Sequence, residues 1–519
     1  MHRIGSCALR LAVGAALSGV LALPSTALAL DTFFVGPRAM GMAGANVASV
    51  TDTTAQYYNP AAFGFFGMVG SETDKKGKTV EKRLTSDNNN VGRKDWGWDV
   101  VYGGAGYSAH KDLGDVINDF SDVDLDSLQS NGVQSEDDLR AVVNLANDLN
   151  LLNDTGNGLT VNVLGGTAFR AGSFALGVRG YGQGAAWVSN VDTQNLGLSM
   201  DAATISTDIE AIATAEGYNQ DITKVSLLTS EQINLLRSVN FTDQAIATID
   251  YIAQQEGITQ EEIAPFVSTL EDIGASSGGG AGSTDLSDNT TTVAVTGFGL
   301  TEVPFSYGYA FNEHFAIGGN LKFMVGRVYG TQVLVFNNDT DEIMEKTQED
   351  YKQTINFGVD LGAMARFRWV QLGVVGRNLN SPKFEGPDVT NLDGSVTKFQ
   401  DVKVKPQAQA GIAFIPFETL TFEVDYDLTK NETLLGGYET QYLRAGVEWD
   451  VFRFLALRGG VYTNMAEDDI GLVYTAGVGL NLWAVRFDVS GAVSSKTMEY
   501  DGEEYPREAH VVAGLSIDF

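Results

Sequence analysis

Residues 419–428 read Thr-Leu-Thr-Phe-Glu-Val-Asp-Tyr-Asp-Leu. Side chains on an extended chain alternate between two faces. Leu420, Phe422, Val424, Tyr426 and Leu428 therefore share one face, and Thr421, Glu423, Asp425 and Asp427 share the other. The pattern recurs in neighbouring stretches. Leu443, Ala445, Val447 and Trp449 oppose Tyr442, Arg444, Glu448 and Asp450, and Val485, Phe487, Val489 and Val493 oppose Arg486, Asp488 and Ser490. From 357 to 367, Phe357, Val359, Leu361, Ala363, Ala365 and Phe367 lie on one side. An apolar face backed by a charged one, strand after strand, fits a transmembrane barrel with lipid outside and water in the lumen.

The connections between these strands alternate in length. Short links fall near Ala171-Gly172, Asn312-Glu313, Arg368-Trp369, Pro416-Phe417, Phe452-Arg453 and Trp483-Ala484. Long polar stretches separate them at 190–290, 331–350, 380–403, 430–438, 465–469 and 497–507. Tight periplasmic turns and longer external loops produce this asymmetry. Six short turns account for twelve strands; a first strand near Trp96–Tyr107 and a terminal one complete an all-β barrel of about 14 antiparallel strands. Trp369, Phe417, Phe454 and Trp483 sit beside the turns, as an interfacial aromatic girdle would. The last strand carries Val511, Ala513, Leu515, Ile517 and a terminal Phe519, a pattern that resembles the signal for membrane insertion of barrels.

Two regions break the alternation. Residues 135–152, opened by Ser135, place Leu139, Val142, Val143, Ala146 and Leu149 at helical spacing. Residues 201–273 read as short helices, with capping-box patterns at Thr229–Gln232 and Thr259–Glu262 and a break at Gly257. The expected inserts cover about 110–156 and 196–283 and leave from the loop end, the second returning through the Gly/Ser-rich stretch Gly274–Ser283.

The first 29 residues read as an export signal. Arg3 and Arg10 precede an apolar run, Leu11–Leu23, and Ala27-Leu28-Ala29 supplies the small-x-small cleavage pattern. Cleavage is expected between Ala29 and Leu30, followed by a plug over 30–66 and the barrel over 67–519. Cys7, the one cysteine, lies in the signal, which leaves no disulfide or thiolate metal site in the mature chain. A net charge of −32 opposes nucleic-acid binding. The four histidines, His2, His110, His314 and His510, lack metal-ligand spacing. Asp122, Asp124 and Asp126 mimic the start of a calcium loop but lack its Gly and its Glu. Gly274–Gly278 matches GxSxG only inside a linker. No catalytic residue, metal or cofactor is expected.

The plug segment is densely patterned. Residues 34–44 read Phe-Val-Gly-Pro-Arg-Ala-Met-Gly-Met-Ala-Gly, and 57–62 read Tyr-Tyr-Asn-Pro-Ala-Ala. Here the chain resembles the FadL-like outer-membrane barrels, whose N-terminal hatch carries an Asn-Pro-Ala turn matched by Asn59, Pro60 and Ala61. Within that group it looks closest to the conjugal-transfer TraF-type proteins, through Arg38–Asn59, Phe169–Gly180, Val303–Tyr329 and Gly376–Leu379. The resemblance implies an outer-membrane protein that is a structural or assembly component of plasmid conjugation. The wider group implies the alternative, a passive channel for long-chain fatty acids or aromatic hydrocarbons, with a plug that shifts. Partners under these readings are outer-membrane lipid, the barrel-insertion machinery, and conjugation components or apolar small molecules. Arg38, Met40, Met42, Tyr57 and Tyr58, with the Asn59–Ala61 turn, are the candidate gating residues. One cation among apolar and aromatic groups suits a tail with a carboxylate head, and the same residues equally suit plain plug packing.

Overall fold

The computed structural model describes residues 30–66, 96–114, 155–191, 202–218, 221–255, 290–334, 351–390, 396–452, 454–500 and 502–518, with short pieces at 69–73, 79–83, 116, 135–138, 151 and 257–271. The signal segment with Ala29, most of the 135–152 helix, the Asp122–Asp126 run, the Gly274–Ser283 linker and Phe519 lie outside the described residues.

Fourteen strands close into one antiparallel barrel. In chain order β1 is Trp96–His110, β2 Gly158–Ala171, β3 Phe174–Asn190, β4 Thr292–Ala310 and β5 Phe315–Leu334. β6 is Tyr351–Arg366, β7 Val370–Arg377, β8 Gln407–Phe417, β9 Leu420–Asp427 and β10 Tyr442–Val451. β11 is Leu455–Asn464, β12 Leu472–Leu482, β13 Val485–Ser494 and β14 Glu508–Asp518. The wall closes where β14 meets β1, with Val511 opposite Ala105 and Ile517 opposite Trp98. Closure leaves no unpaired sheet edge, the condition for a sheet to cross hydrocarbon. All six expected short turns lie between paired strands at one end. At one of them Trp483 takes a φ of 66°, rare for a bulky side chain. It is 90 % exposed there, and Trp369, Phe417 and Phe454 are exposed beside the neighbouring turns. Both long inserts leave from the opposite end.

The alternation holds residue by residue. Phe422, Val424 and Tyr426 are exposed on the outer face of β9, and Thr421, Glu423, Asp425 and Asp427 are buried within. One expectation needs correcting. The charged face points inward, but at mid-wall it meets protein instead of an open aqueous lumen, because residues 30–66 fill that space. Of the residues in this segment with described burial, most are buried, including Met42, Ala45, Val47, Ala55 and Phe63. The segment forms three short helices, α1 (Pro37–Gly41), α2 (Ala55–Tyr58) and α3 (Ala62–Phe66), and gives no strand to the wall.

Wall glycines make room for it. A Cβ on Gly362 would stand 2.2 Å from the Asn59 Oδ1, one on Gly318 2.3 Å from the Pro60 carbonyl oxygen, and one on Gly308 2.2 Å from the Gly64 nitrogen. At Gly318 and Gly308 the plug backbone thus lies directly on the wall backbone, and at Gly362 the Asn59 side chain does.

The second insert has its own core. α4 (Ala202–Ala215), α5 (Ser230–Ser238) and α6 (Asp243–Gln255) pack Ile205, Ile209, Leu236, Phe241, Ile246 and Ile249 together. Thr229 and Gln232 form the expected capping box, Gly257 takes a φ of 74°, and buried Asp250 accepts hydrogen bonds from the amides of Ser226, Leu227 and Leu228.

Because the plug seats on the wall with no room for a side chain, against plug backbone at Gly318 and against the Asn59 side chain at Gly362, Gly362→Val and Gly318→Val should leave the barrel folded but lift the plug. The barrel fold is read by its heat-modifiable gel mobility, and plug release by protease cleavage within 30–66. Gly103→Ala, where a new Cβ meets nothing closer than 3.5 Å, is expected to behave as the unaltered protein.

Candidate functional site

The plug–wall junction is where charge, burial and an N-terminal motif converge. The expected gating residues all lie at this junction but in separate groups: Met40 packs with Ala43 and Tyr462, whereas Tyr58 and Ala61, with Tyr57 against them, belong to a different cluster with Phe63. Gly36 and Pro37 start α1, with proline at a position whose missing N–H costs the helix nothing. This turn directs Arg38 at the wall. The Arg38 guanidinium meets Glu448 of β10 at 3.0 Å through Nη2 and 3.1 Å through Nε. Glu448 also accepts from Arg458 of β11 at 2.6 Å, and Arg458 bonds Asp488 of β13 at 2.6 Å. Arg38, Glu448, Arg458 and Asp488 form one buried alternating chain of charge from the plug across the wall. Within the plug, Arg38 also donates to Asn46 and to the Ser49 hydroxyl.

A second grip uses the plug backbone. Asp425 of β9 accepts from the amides of Asn46 (2.8 Å) and Val47 (3.0 Å), and Glu423 accepts from those of Ala48 (2.6 Å) and Ser49 (3.3 Å). Consecutive N–H groups turned toward one side make an anion-binding concavity. Here the anion is the wall.

The Asn-Pro-Ala turn is the third contact. The Asn59 Nδ2 donates to the carbonyls of Val47 and Ala363, each at 3.1 Å, while its Oδ1 accepts from the Ala61 amide at 3.1 Å. Asn59 thereby ties two plug segments to β6. The Tyr57 ring lies under Arg377 at 4.5 Å, and Phe65 and Phe66 lie under Arg366 and Arg170 at 4.2 and 4.4 Å. Desolvated cation–π pairs of this kind contribute up to about 2 kcal/mol each. The hydroxyls of Tyr57 and Tyr58 accept from the amides of Phe33 and Val35. Met40 and Met42 are wholly buried.

At the loop end the plug begins with single hydrogen bonds. The Leu30 carbonyl accepts from Asn431, and Asp31 accepts from Thr440. Burial pushes the Asp31 carboxyl upward from its ordinary value, opposed by its bonds from the Thr32 amide and Thr440. Nearby, Asp469 is held down to about 2. Burial alone would raise it, but His110, the Tyr438 hydroxyl and the Lys111 amide outweigh that effect. Cavities among these lining residues are water-sized, about 20 Å³ beside Asp31 and about 30 Å³ beside Arg38.

The arrangement can lock or release a segment; no group of His, Cys, Asp and Glu suited to a metal occurs among the described residues. Val511, Ala513, Leu515 and Ile517 share the outward face of β14. The sequence reading picked Arg38 and Asn59 but missed Glu448, Glu423, Asp425 and Arg377. Their signal was present: inward carboxylates on adjacent strands require partners, and the plug offers one arginine and a run of small residues.

Removing one partner of a buried ion pair costs about 3–5 kcal/mol, because the other is left charged and dry. Arg38→Met should therefore loosen the plug strongly, and Arg38→Met combined with Glu448→Gln should loosen it less than Arg38→Met alone. A cysteine placed at Ala48 reports this by its labelling rate, since the one natural cysteine is Cys7. Equal labelling in all backgrounds would contradict the grip.

Among solved structures, the toluene transporter TbuX of Ralstonia pickettii matches at 11% identity and TM-score 0.41, over 93% of this chain and 98% of that one. The Pseudomonas putida toluene transporter TodX matches at 9% and 0.42, over 95% and 99%. A Pseudomonas aeruginosa FadL homologue matches at 10% and 0.41, over 95% and 100%. No curated protein sequence matches the chain. The family model described as F plasmid transfer operon, TraF, protein matches residues 56–427. That span runs from the plug helix beside Asn59 to the end of β9, well over half of the sequence, and the chain belongs to this TraF family.

Proposed function

We propose that the protein is an outer-membrane scaffold of a conjugation-type transfer system: an anchored, plugged barrel that presents a helical module at its loop end. The observation that carries this reading is the module itself. Among the described residues its apolar core is drawn from 205–270 alone, so it can act as a docking unit while the barrel serves as its anchor. The plug supports the same reading, because a lumen clamped by buried charge suits an anchor. Family membership supports a transfer system as its setting. In this reading the protein does no covalent chemistry, and its signal segment is removed after Ala29.

A second reading, a gated channel for apolar small molecules, is favoured by one specific observation. The plug supplies no strand to the wall, so it can leave without opening the sheet. Under this reading Arg38, Met40, Met42, Tyr57, Tyr58 and the Asn59–Ala61 turn are the gate.

The two readings separate experimentally. Replacing 202–271 by a Gly/Ser linker in the full chain should cut plasmid transfer in a mating assay by an order of magnitude or more, with barrel amount and heat-modifiability unchanged. Asp425→Asn, which weakens the grip, should leave transfer intact. Unchanged transfer without the module sinks the scaffold reading. Faster entry of a hydrophobic dye in Asp425→Asn cells would then favour the channel.

A further inference from the structure

The loop between β9 and β10 crosses the mouth of the barrel. It starts and ends as a short ribbon, Asn431–Glu432 paired with Glu439–Thr440. The Thr433 hydroxyl shapes its tip, donating to the Tyr438 carbonyl and accepting from the Leu435 amide. Leu434, Leu435 and Tyr438 at that tip are buried. A Cβ on Gly158 would stand 2.6 Å from the Leu435 Cδ1, and one on Gly437 2.7 Å from the Thr155 Cβ. Gly158 opens β2, which is seven strands from β9 either way around the fourteen-strand wall. The loop is therefore a strap running from one side of the mouth to the opposite one.

The start of the plug packs against the strap. Leu30 and Phe33 share an apolar cluster with Leu434, Leu435 and Tyr438. Asn431 donates to the Leu30 carbonyl and Thr440 to the Asp31 carboxyl, each at 2.9 Å. Lifting the strap removes all of these contacts at once.

One side-chain group fastens the strap. The Tyr438 hydroxyl donates to Asp469 Oδ1 at 2.8 Å, and Asp469 Oδ2 accepts from the Lys111 amide at 3.1 Å. His110 touches both partners: its Nδ1 stands 3.4 Å from Asp469 Oδ2, and its ring centroid 4.0 Å from that of Tyr438. Its Nε2 meets the Thr160 hydroxyl at 3.0 Å. His110 ends β1, fourteen residues beyond Trp96. At about 3.3 Å per residue and a tilt of about 40°, that is about 35 Å of rise, beyond an apolar band of about 25 Å. The fastening lies above the hydrocarbon, on the loop side.

Histidine is the side chain that changes charge between about pH 5 and 8. Asp469, held down to about 2, is ionised throughout that range, and its contribution is lost only on descent toward that value. A charged His110 attracts it and steadies the acceptor that Tyr438 needs; a neutral His110 does not. The other charged groups nearby are engaged elsewhere. Lys111 and Arg507 donate to the carbonyls of Thr155 and Lys111. His510 meets Glu508 at 3.0 Å, Glu508 also takes the Tyr462 hydroxyl, and Phe34 lies against the His510 ring. Tyr442 packs on Tyr462. Burial pushes Asp31 toward keeping its proton, and its bond from Thr440 needs only an acceptor in either state.

We propose that the strap is a pH-sensitive latch on the plug: protonated His110 holds it down through Asp469 and Tyr438, and residues 30–35 loosen as the outside pH rises. The latch acts on the start of the plug and stands whichever role the barrel plays.

The test follows amide hydrogen exchange of residues 30–36 by mass spectrometry, with the full chain in lipid nanodiscs. Each rate is corrected for the chemical dependence of exchange on pH. Protection in the intact protein should fall several-fold between about pH 5 and 8. His110→Gln keeps a partner for Thr160 but no titrating charge, and should give one value at both ends of the range. Tyr438→Phe keeps the ring and loses the bond to Asp469, and should bring protection at the acid end down to that at the alkaline end. This arm decides alone if His110→Gln fails to insert, with heat-modifiable mobility confirming the barrel. Protection of the intact protein that ignores pH would overturn the inference. So would a response that persists in His110→Gln, which gives it to His510 or Asp31, or unchanged protection in Tyr438→Phe.

Discussion

Carboxylates on the inner face of a closed wall must be hydrated or partnered, because a dry, unpaired charge costs several kcal/mol. The rest of this structure depends on how that requirement is met. Asp427 is answered within the wall by Arg444 and Asp488 by Arg458. Glu448 shares Arg458 and takes Arg38 from the plug, and Asp425 and Glu423 are met by plug amides. Wall and plug are thus complementary halves of one electrostatic assembly.

That dependence runs in both directions. The run from Met40 to Ser49 is too small and too rich in Ala and Gly to hold itself together by burial of large side chains. Its order comes from the wall: amides on carboxylates, backbone on wall glycines, and rings under arginines. The lumen also grades in polarity. Phe63, Phe65 and Phe66 close the turn end, the charge chain occupies the middle, and single hydrogen bonds hold the loop end.

The wall was legible in the sequence because lipid enforces its alternation. Phe422, Val424 and Tyr426 face out and Glu423 and Asp425 face in, as period two demands. The turns were legible for a similar reason, since short links leave no room for alternatives. The junction was legible only in part. Arg38 stands out as the one cation of residues 30–66 and Asn59 as the start of an Asn-Pro turn, but which wall residues they meet depends on strand stagger and plug path, and neither is written in local periodicity. An inward Glu reads alike whether it faces water or an amide, which is why a wet lumen was expected where the plug is packed. The glycines mislead similarly. Gly308, Gly318 and Gly362 look like ordinary strand composition until the plug is seen against them.

The grading of contacts along the plug also sets the order in which it can come away. A neutral hydrogen bond such as that at Leu30 contributes about 0.5–1.5 kcal/mol, and a buried charged partner about 3–5 kcal/mol when lost. Residues 30–35 therefore detach at lower cost than residues 38–49, and the wall glycines block a rigid slide of the intact plug because Pro60 and Gly64 sit against backbone. Local release from the loop end inward is the low-energy route, and it stops at Arg38 unless Glu448 finds another cation. A gate built this way would need a trigger acting on that one pair, whereas an anchor needs none.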